Sequence, residues 1–196
     1  HVVDCIRASG IADRLLLVSF RHDLLQQAKA LMPELRIGIL TLGDLLSMML
    51  PPPVIWQDLG LVNSMDEPLD EENCPALKKQ VGMVSSVISD KLTLIAALYP
   101  QMSVRQILAT LSAQADPAAY VRTLGFPVEL VSCEYHTAFA NPEVVNQLHD
   151  AGCKAAFWTV NTEDVVRSLV PLGPDCFVTD RPDIIREWIE KAQAET

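Results

Sequence analysis

"KAAFWTVNTEDVVRSLVPLGPDCFVTDRPD" (residues 154–183) contains two strand-and-helix units in succession. Each predicted strand is a short apolar run that ends in a polar cluster. The first cluster is Trp158-Thr159-Val160-Asn161 and the second is Thr179-Asp180-Arg181-Pro182. Gly173 ends the helix between the two strands, and Pro182 opens the last helix. Alternating strands and helices indicate a parallel sheet, in which both polar clusters lie at the same edge.

The same alternation occurs in two other parts of the chain. Strands are predicted at 14–20, 36–40 and 127–133, because apolar runs of this length suit strands that are covered on both faces. Asp23 and Asn141 are candidate caps for the helices that follow. Five such units fit either an open doubly wound sheet or a (β/α)₈ TIM barrel. No glycine-rich phosphate loop follows a strand, so the nucleotide-binding open sheet lacks its main signature and the barrel is favoured.

A long insertion separates the second strand from its helix. We predict that residues 1–42 and 117–196 form a partial barrel and that residues 43–116 form a mainly helical insertion, with helices within 83–99 and 103–114. Because the insertion follows a strand, it starts at the carboxyl end of the sheet, where such folds hold their sites. It is therefore either a lid or partner surface, or a tolerated decoration.

Met48, Met49 and Trp56 form an apolar patch in this insertion, next to three consecutive prolines. The patch is interpreted as ordinary packing, with adaptable ligand contact as the alternative.

Composition restricts the classes of function. The net charge of −10 argues against nucleic acid and anionic membrane surfaces as partners, and a phosphate-bearing substrate would need a metal ion or a local basic cluster. No apolar run reaches the length of a membrane span, so none is expected. Five cysteines without C-x-x-C spacing are typical of reduced thiols, which predicts a cytoplasmic location.

Few residues suit catalysis. The four histidines show no metal-ligand spacing, and no Gly-x-Ser-x-Gly motif is present. His136, beside Glu134 and Tyr135, is the histidine placed where an active-site face is expected, and it is either a base or an ordinary loop residue. Asn161 is expected to cap its helix, and Asp180 and Arg181 either pair with each other or orient loops. The strand ends together predict a pocket wall without a cluster of carboxylates able to hold a divalent ion.

Two long segments, "LLLVSFRHDLLQQAKALMPELRIGIL" and "NPEVVNQLHDAGCKAAFWTVNTEDVVRSLVPLGPDCFVTDRP", resemble the C-terminal part of the glycerophosphodiester phosphodiesterase family. The Ser-Phe, Trp-Thr-Val-Asn and Thr-Asp-Arg-Pro strand ends occur there in the same order. The resemblance covers residues 1–42 and 117–190 and leaves 43–116 unmatched. It implies a (β/α)₈ barrel that hydrolyses glycerophosphodiesters to an alcohol and glycerol 3-phosphate, with two histidines as acid and base and a divalent cation, Mg²⁺ or Ca²⁺.

On that alignment the five strands are the fourth to the eighth of the barrel. The family's His-Arg-Gly, paired acidic, second histidine and Glu-x-Lys motifs belong to the first three strands and are not found in this chain. The resemblance therefore assigns no catalytic or metal residue here. It assigns pocket walls to Phe20, Trp158 and Tyr135. The chain begins at His1 without an initiator methionine, which we interpret as a C-terminal piece of a longer enzyme that is inactive alone.

Two other interpretations stay open. A non-catalytic half-barrel would bind a partner or self-associate through the helices of residues 43–116. An unrelated barrel acting on small molecules would share the fold without the chemistry. The sequence upstream of His1 would distinguish the first alternative from the enzyme.

Overall fold

The computed structural model describes residues 1–43, 51–77, 79 and 86–195. The chain divides into two compact units. The first, which we call the sheet unit, comprises His1–Gly43 and Asp116–Thr196. The second, the helical unit, comprises Asp44–Ala115.

The sheet unit contains a five-stranded parallel sheet. Its strands are β1 (Leu16–Ser19), β2 (Arg36–Thr41), β3 (Leu130–Glu134), β4 (Lys154–Trp158) and β5 (Cys176–Phe177), and they pair in the order β1-β2-β3-β4-β5. Each connection moves one strand in the same direction, whereas a doubly wound sheet reverses direction at a switch point. The strand order therefore confirms the barrel-type α/β fold, and the doubly wound alternative is wrong.

Helices alternate with these strands, as the periodicity predicts. In chain order they are α1 (Val2–Ser9), α2 (His22–Leu31), α3 (Ser86–Leu98), α4 (Val104–Gln114), α5 (Pro117–Thr123), α6 (His136–Ala140), α7 (Val144–Asp150), α8 (Glu163–Leu169) and α9 (Ile185–Ala194). Helices α3 and α4 belong to the helical unit and the others to the sheet unit. Among the described residues, no helix is both long enough and apolar enough to cross a membrane.

The two faces of the sheet differ because side chains alternate along each strand. One face packs under the helices, where Ile37, Val131 and Phe157 are fully buried in the core. The opposite face, which we call the inner face, carries Val18, Gly38 and Leu130. These three meet so closely that a Cβ added at Gly38 would lie 3.1 Å from Val18 Cγ2. The inner face of β3 and β4 ends in Glu134 and Trp158, which are direct partners in the register.

Two predicted helix caps are corrected by the structure. Asp23 lies inside α2 and does not cap it, because its carboxylate binds the Arg21 guanidinium through two hydrogen bonds of 2.8 and 2.6 Å. Asn141 precedes α7 by two turn residues, and its side chain accepts a hydrogen bond from the Glu143 amide at 3.2 Å. The helix therefore begins later in the chain than predicted, at Val144.

A hydrogen-bonded carboxylate ties the amino ends of the last two strands together. Asp175, just before β5, accepts hydrogen bonds from the Ala155 amide of β4 and from His149 of α7, both at 2.8 Å. Burial by itself raises the pKa of the Asp175 carboxyl, but these hydrogen bonds, together with charge interactions with His149 and Lys154, outweigh it and the pKa is lowered. The contact lies at the end of the strands that in barrels serves stability.

Local capping and side-chain hydrogen bonds organise the described part of the helical unit. The predicted helix at 103–114 is present as α4, and Ser103 and Gln106 cap its start reciprocally. The acidic stretch at residues 65–73, which precedes α3, is organised around buried Asn73. The Asn73 side chain bonds the backbone of Ser64, Glu67 and Pro68.

The apolar patch predicted in the insertion is described in part. Trp56 is 1% exposed and donates its indole N–H to the Pro51 carbonyl, which agrees with packing. Met48 and Met49 lie outside the described residues.

Candidate functional site

An edge-to-face pair of aromatic rings marks the carboxyl end of the sheet. Phe20 directly follows β1 and Trp158 ends β4, and their ring centroids lie 5.2 Å apart with an interplanar angle of 82°. Aromatic rings prefer this geometry because the positive edge of one meets the negative face of the other. Two of the three residues predicted as pocket walls are thus brought together.

The short distance between the two rings also shows that the sheet is strongly curved. Strands β2 and β3 separate β1 from β4, so in a flat sheet the two strands would lie about 14 Å apart, three spacings of about 4.8 Å. The two rings reach each other because they extend across the concave inner face at the strand ends. This concavity is what a barrel wall requires.

Trp158 is held in this position by a hydrogen bond. Its indole N–H donates to the Ser132 carbonyl oxygen of the neighbouring strand at 3.1 Å, and the residue is 9% exposed. Ser132 is also notable for its side chain. Its hydroxyl oxygen is fully buried and has no hydrogen-bond partner among the described residues. The wall therefore contains a polar atom whose hydrogen-bonding capacity is unused.

A carboxylate–imidazole pair lies at the end of β3. Glu134 is 1% exposed, and its carboxylate accepts hydrogen bonds from the His136 amide at 2.9 Å and from His136 Nδ1 at 2.9 and 3.0 Å. The His136 side chain is 33% exposed. A buried acceptor thus fixes the orientation of a ring that solvent and small molecules reach.

Tyr135, the third predicted wall residue, lies in a different cluster. Its ring stacks on His136 at a centroid distance of 4.2 Å and meets the edge of Phe139 at 5.7 Å. It also packs against the core under the helices. Burial, and then the Glu134 carboxylate, raise the pKa of the Tyr135 hydroxyl, which keeps it protonated. The structure therefore does not place Tyr135 beside Phe20 and Trp158.

The polar residues after β4 and β5 hold the two strand ends together. Asn161 donates to the Asp180 carboxylate at 2.8 Å and accepts from the Thr179 hydroxyl and the Asp180 amide at 3.1 and 2.9 Å. The expectation that Asn161 caps α8 is wrong, since Thr162 occupies the cap position without a side-chain bond. Arg181 pairs with Asp183 and not with Asp180. This cluster orients loops, as one of the two interpretations of Asp180 and Arg181 predicts.

The described residues do not fit a divalent cation. Within them, no three His, Cys, Asp or Glu side chains are grouped closely enough to hold a metal ion. The carboxylates nearest the pocket wall, Glu134 and Asp180, are engaged with His136 and Asn161.

Sequence reasoning overlooked the part that Glu134 and Ser132 play in this wall. The Glu-x-His spacing after a strand was the available signal for the first, because a carboxylate that ends a strand reaches the ring two residues later. No local signal exists for Ser132, since the Trp158 indole that donates to its carbonyl lies 26 residues away in the chain.

Comparisons with known proteins agree with this fold. The model of the "Glycerophosphoryl diester phosphodiesterase family" matches residues 57–184, which is more than half of the chain. The matched range includes most of the helical unit, which the resemblance seen in the sequence left unmatched. No curated protein matches the chain.

Solved structures are similar at low sequence identity. A putative glycerophosphoryl diester phosphodiesterase from Silicibacter pomeroyi DSS-3 superposes with a TM-score of 0.53 and 20% identity, covering 98% of this chain and 43% of that one. A glycerophosphodiester phosphodiesterase from Parabacteroides distasonis ATCC 8503 gives a TM-score of 0.48 and 13% identity, covering 99% and 49%. This chain therefore spans less than half the length of either neighbour.

Proposed function

We propose that this chain, which belongs to the glycerophosphoryl diester phosphodiesterase family, forms a pocket wall of an enzyme that hydrolyses glycerophosphodiesters to an alcohol and glycerol 3-phosphate. In this proposal Phe20 and Trp158 line the substrate pocket from one side, whereas Tyr135 packs against the core and supports the His136 ring. In this proposal the acid–base pair and the divalent cation, Mg²⁺ or Ca²⁺, are supplied by residues outside the described strands β1 to β5.

One observation carries the proposal: the Phe20–Trp158 pair at the carboxyl end of the strands. Active sites of barrel enzymes lie at this end, where residues from several strands converge. The two rings cover the concave face with apolar surface. The half-buried Phe20 ring is suited to contacting the carbon skeleton of a small ligand. The family match supports a glycerophosphodiester as that ligand.

In this proposal the helical unit is a substrate lid. The chain leaves the sheet unit after Gly43, directly beyond the carboxyl end of β2, and returns at Asp116 before α5. Insertions at this position of a barrel commonly belong to the active-site face. The partial-barrel boundaries, at 1–42 and 117–196, and the cytoplasmic location stay predictions.

A binding experiment tests the pocket wall. Isothermal titration calorimetry with sn-glycero-3-phosphocholine is compared for the protein, Trp158→Phe and Trp188→Phe. Trp188 lies on α9 and packs against the core, so it provides the same chemical change away from the pocket wall. We expect Trp158→Phe to weaken binding about fivefold, which corresponds to about 1 kcal/mol, and Trp188→Phe to leave it unchanged. Equal effects of the two substitutions would contradict the pocket wall.

A hydrolysis assay tests whether this chain by itself hydrolyses the substrate. Choline release from the same substrate is followed with Mg²⁺ or Ca²⁺ in excess. We expect no turnover from this chain alone, because its described residues contain no group of ligands for the cation. Measurable turnover that requires the cation would show that the chain carries the whole catalytic apparatus.

The non-catalytic alternative retains one supporting observation. The inner face presents half-buried apolar side chains, Leu16, Val18 and Leu130, and β1 and β5 are the edge strands of the sheet. Exposed strand edges and apolar faces favour association with another chain. Sedimentation of a stable dimer that binds no glycerophosphodiester would favour this alternative over the enzyme.

A further inference from the structure

We propose that the Glu134–His136 pair is a hydroxyl-binding subsite, in which His136 Nε2 accepts a hydrogen bond from a hydroxyl of the substrate's glycerol group. The inference rests on the proposed function for the class of substrate. It assigns to this chain a specific polar contact that the pocket wall of Phe20 and Trp158 lacks.

The first step is the orientation of the ring. Both carboxylate oxygens of Glu134 lie within 3.0 Å of His136 Nδ1, and the His136 amide donates to the same carboxylate. A carboxylate accepts hydrogen bonds and does not donate them, so the atom that bonds to it must carry the hydrogen. Nδ1 therefore carries the proton of the neutral ring, and Nε2 keeps its lone pair.

The second step is that Nε2 remains available. Among the described residues, His136 forms its hydrogen bonds through its amide and Nδ1, and none is formed at Nε2. A third of the side chain is exposed. Stacking on Tyr135 and the edge contact of Phe139, at 4.2 and 5.8 Å between centroids, leave the ring few alternative orientations. The ring is thus a positioned acceptor at the surface.

The third step is location. Glu134 pairs with Trp158 in the register of β3 and β4, and both end the inner face of their strands. His136 begins α6 directly beyond, at the edge where the Phe20–Trp158 wall lies. A ligand against the indole therefore lies one strand away from the Glu134 carboxylate that holds the imidazole.

The fourth step selects the ligand group. A lone-pair acceptor backed by a carboxylate attracts hydroxyl donors, whereas it offers an anionic phosphate oxygen no donor. The chain's net charge of −10 also disfavours a phosphate contact that no cation supports. The arginines after β1 and β5, Arg21 and Arg181, are each paired with an aspartate. The glycerol hydroxyls are the donors that this class of substrate supplies.

Nuclear magnetic resonance of the ¹⁵N-labelled protein tests the subsite. The ring nitrogens report the tautomer, and titrations with sn-glycero-3-phosphocholine and with diethyl phosphate separate hydroxyl from phosphate recognition. We expect a protonated Nδ1 and an unprotonated Nε2 in the free protein, with mixed tautomers in Glu134→Gln. His136 should shift saturably with the glycerol-containing diester and not with diethyl phosphate. His149, whose Nε2 binds Asp175 at the amino end of the strands, is the internal control.

The outcomes separate this inference from the proposed function. If the Trp158 indole resonance shifts with the glycerophosphodiester while His136 does not, the subsite is refuted and the pocket wall stands. Equal shifts of His136 with both ligands would show a phosphate contact and overturn the hydroxyl assignment. If neither Trp158 nor His136 shifts, the pocket wall itself fails.

A matched substitution adds an affinity measurement. His136→Phe keeps an aromatic ring between Tyr135 and Phe139 but removes the acceptor. We expect it to weaken binding of the glycerophosphodiester about fivefold or more and to leave binding of diethyl phosphate unchanged. An unchanged affinity for the glycerophosphodiester would overturn the inference.

Discussion

The contact between Phe20 and Trp158 yields a quantitative prediction about the stability of the sheet unit. Trp158 is 9% exposed and Phe20 is half-buried, so replacing either ring removes buried apolar surface in addition to the contact between them. A double-mutant cycle with Phe20→Leu, Trp158→Leu and the double variant isolates the contact. We expect a coupling free energy of about 1 kcal/mol, since edge-to-face aromatic pairs contribute about 0.5–1.5 kcal/mol beyond burial.

The assay is urea denaturation followed by far-ultraviolet circular dichroism, which does not depend on the tryptophan signal. The Trp158 single variant also leaves the Ser132 carbonyl without its indole donor, which adds about 1 kcal/mol to that variant's loss. This term occurs in both variants that lack the indole, so it cancels in the cycle.

A second cycle provides the control. Phe157 precedes Trp158 but faces the core under the helices, so its ring and that of Phe20 lie on opposite faces of the sheet. The cycle of Phe20→Leu with Phe157→Leu should give a coupling within about 0.5 kcal/mol of zero. If the two cycles give the same coupling, the ring contact does not connect β1 with β4, and Phe20 and Trp158 do not form a common pocket wall.

Two further predictions concern the backbone and pH. Gly43 has φ +62°, and a Cβ there would lie 2.6 Å from Thr137 Oγ1, whereas Gly152 has φ +80° and open space around it. We expect Gly43→Ala to lower the free energy of unfolding by at least about 1 kcal/mol more than Gly152→Ala in urea, and equal losses would contradict the clash. Burial lowers the pKa of His22, outweighing the opposing effects of the Leu40 carbonyl and Asp23, so the unfolded chain binds this proton more readily than the folded one. The free energy of unfolding should therefore fall as pH drops below about 6.5, and His22→Gln should flatten that dependence. Parallel pH profiles of the protein and of His22→Gln would refute the role of His22.

Much of the candidate site was accessible from local sequence. Trp158 and Phe20 follow apolar runs of strand length, so their position at the carboxyl end of parallel strands could be predicted without coordinates. The family was identified from the same strand ends, and the family model confirms it. Tyr135 was grouped with them because it also follows a strand, but alternation places it on the other side of the β3 end from Glu134.

The wrongly predicted helix caps share a physical cause. Polar side chains bind the partners that are near them in space, whether or not these are near in sequence. Asn161 has the sequence position of a helix cap, yet its amide binds Thr179 and Asp180, 18 and 19 residues later. Asp23 has the position of a cap as well, but the nearby guanidinium of Arg21 offers a stronger, charged partner. Competition of this kind cannot be evaluated from spacing alone.

The amino-acid sequence by itself determined the alternation of strands and helices, the parallel sheet and the family, because these depend on local apolar periodicity and on short motifs at strand ends. Only the tertiary structure decided which strand-end residues meet. The curvature of the sheet brings Phe20 to Trp158, and the turn after β3 folds His136 back onto the buried carboxylate of Glu134. Both contacts depend on distances across the fold, and such distances are set by packing and not by order along the chain.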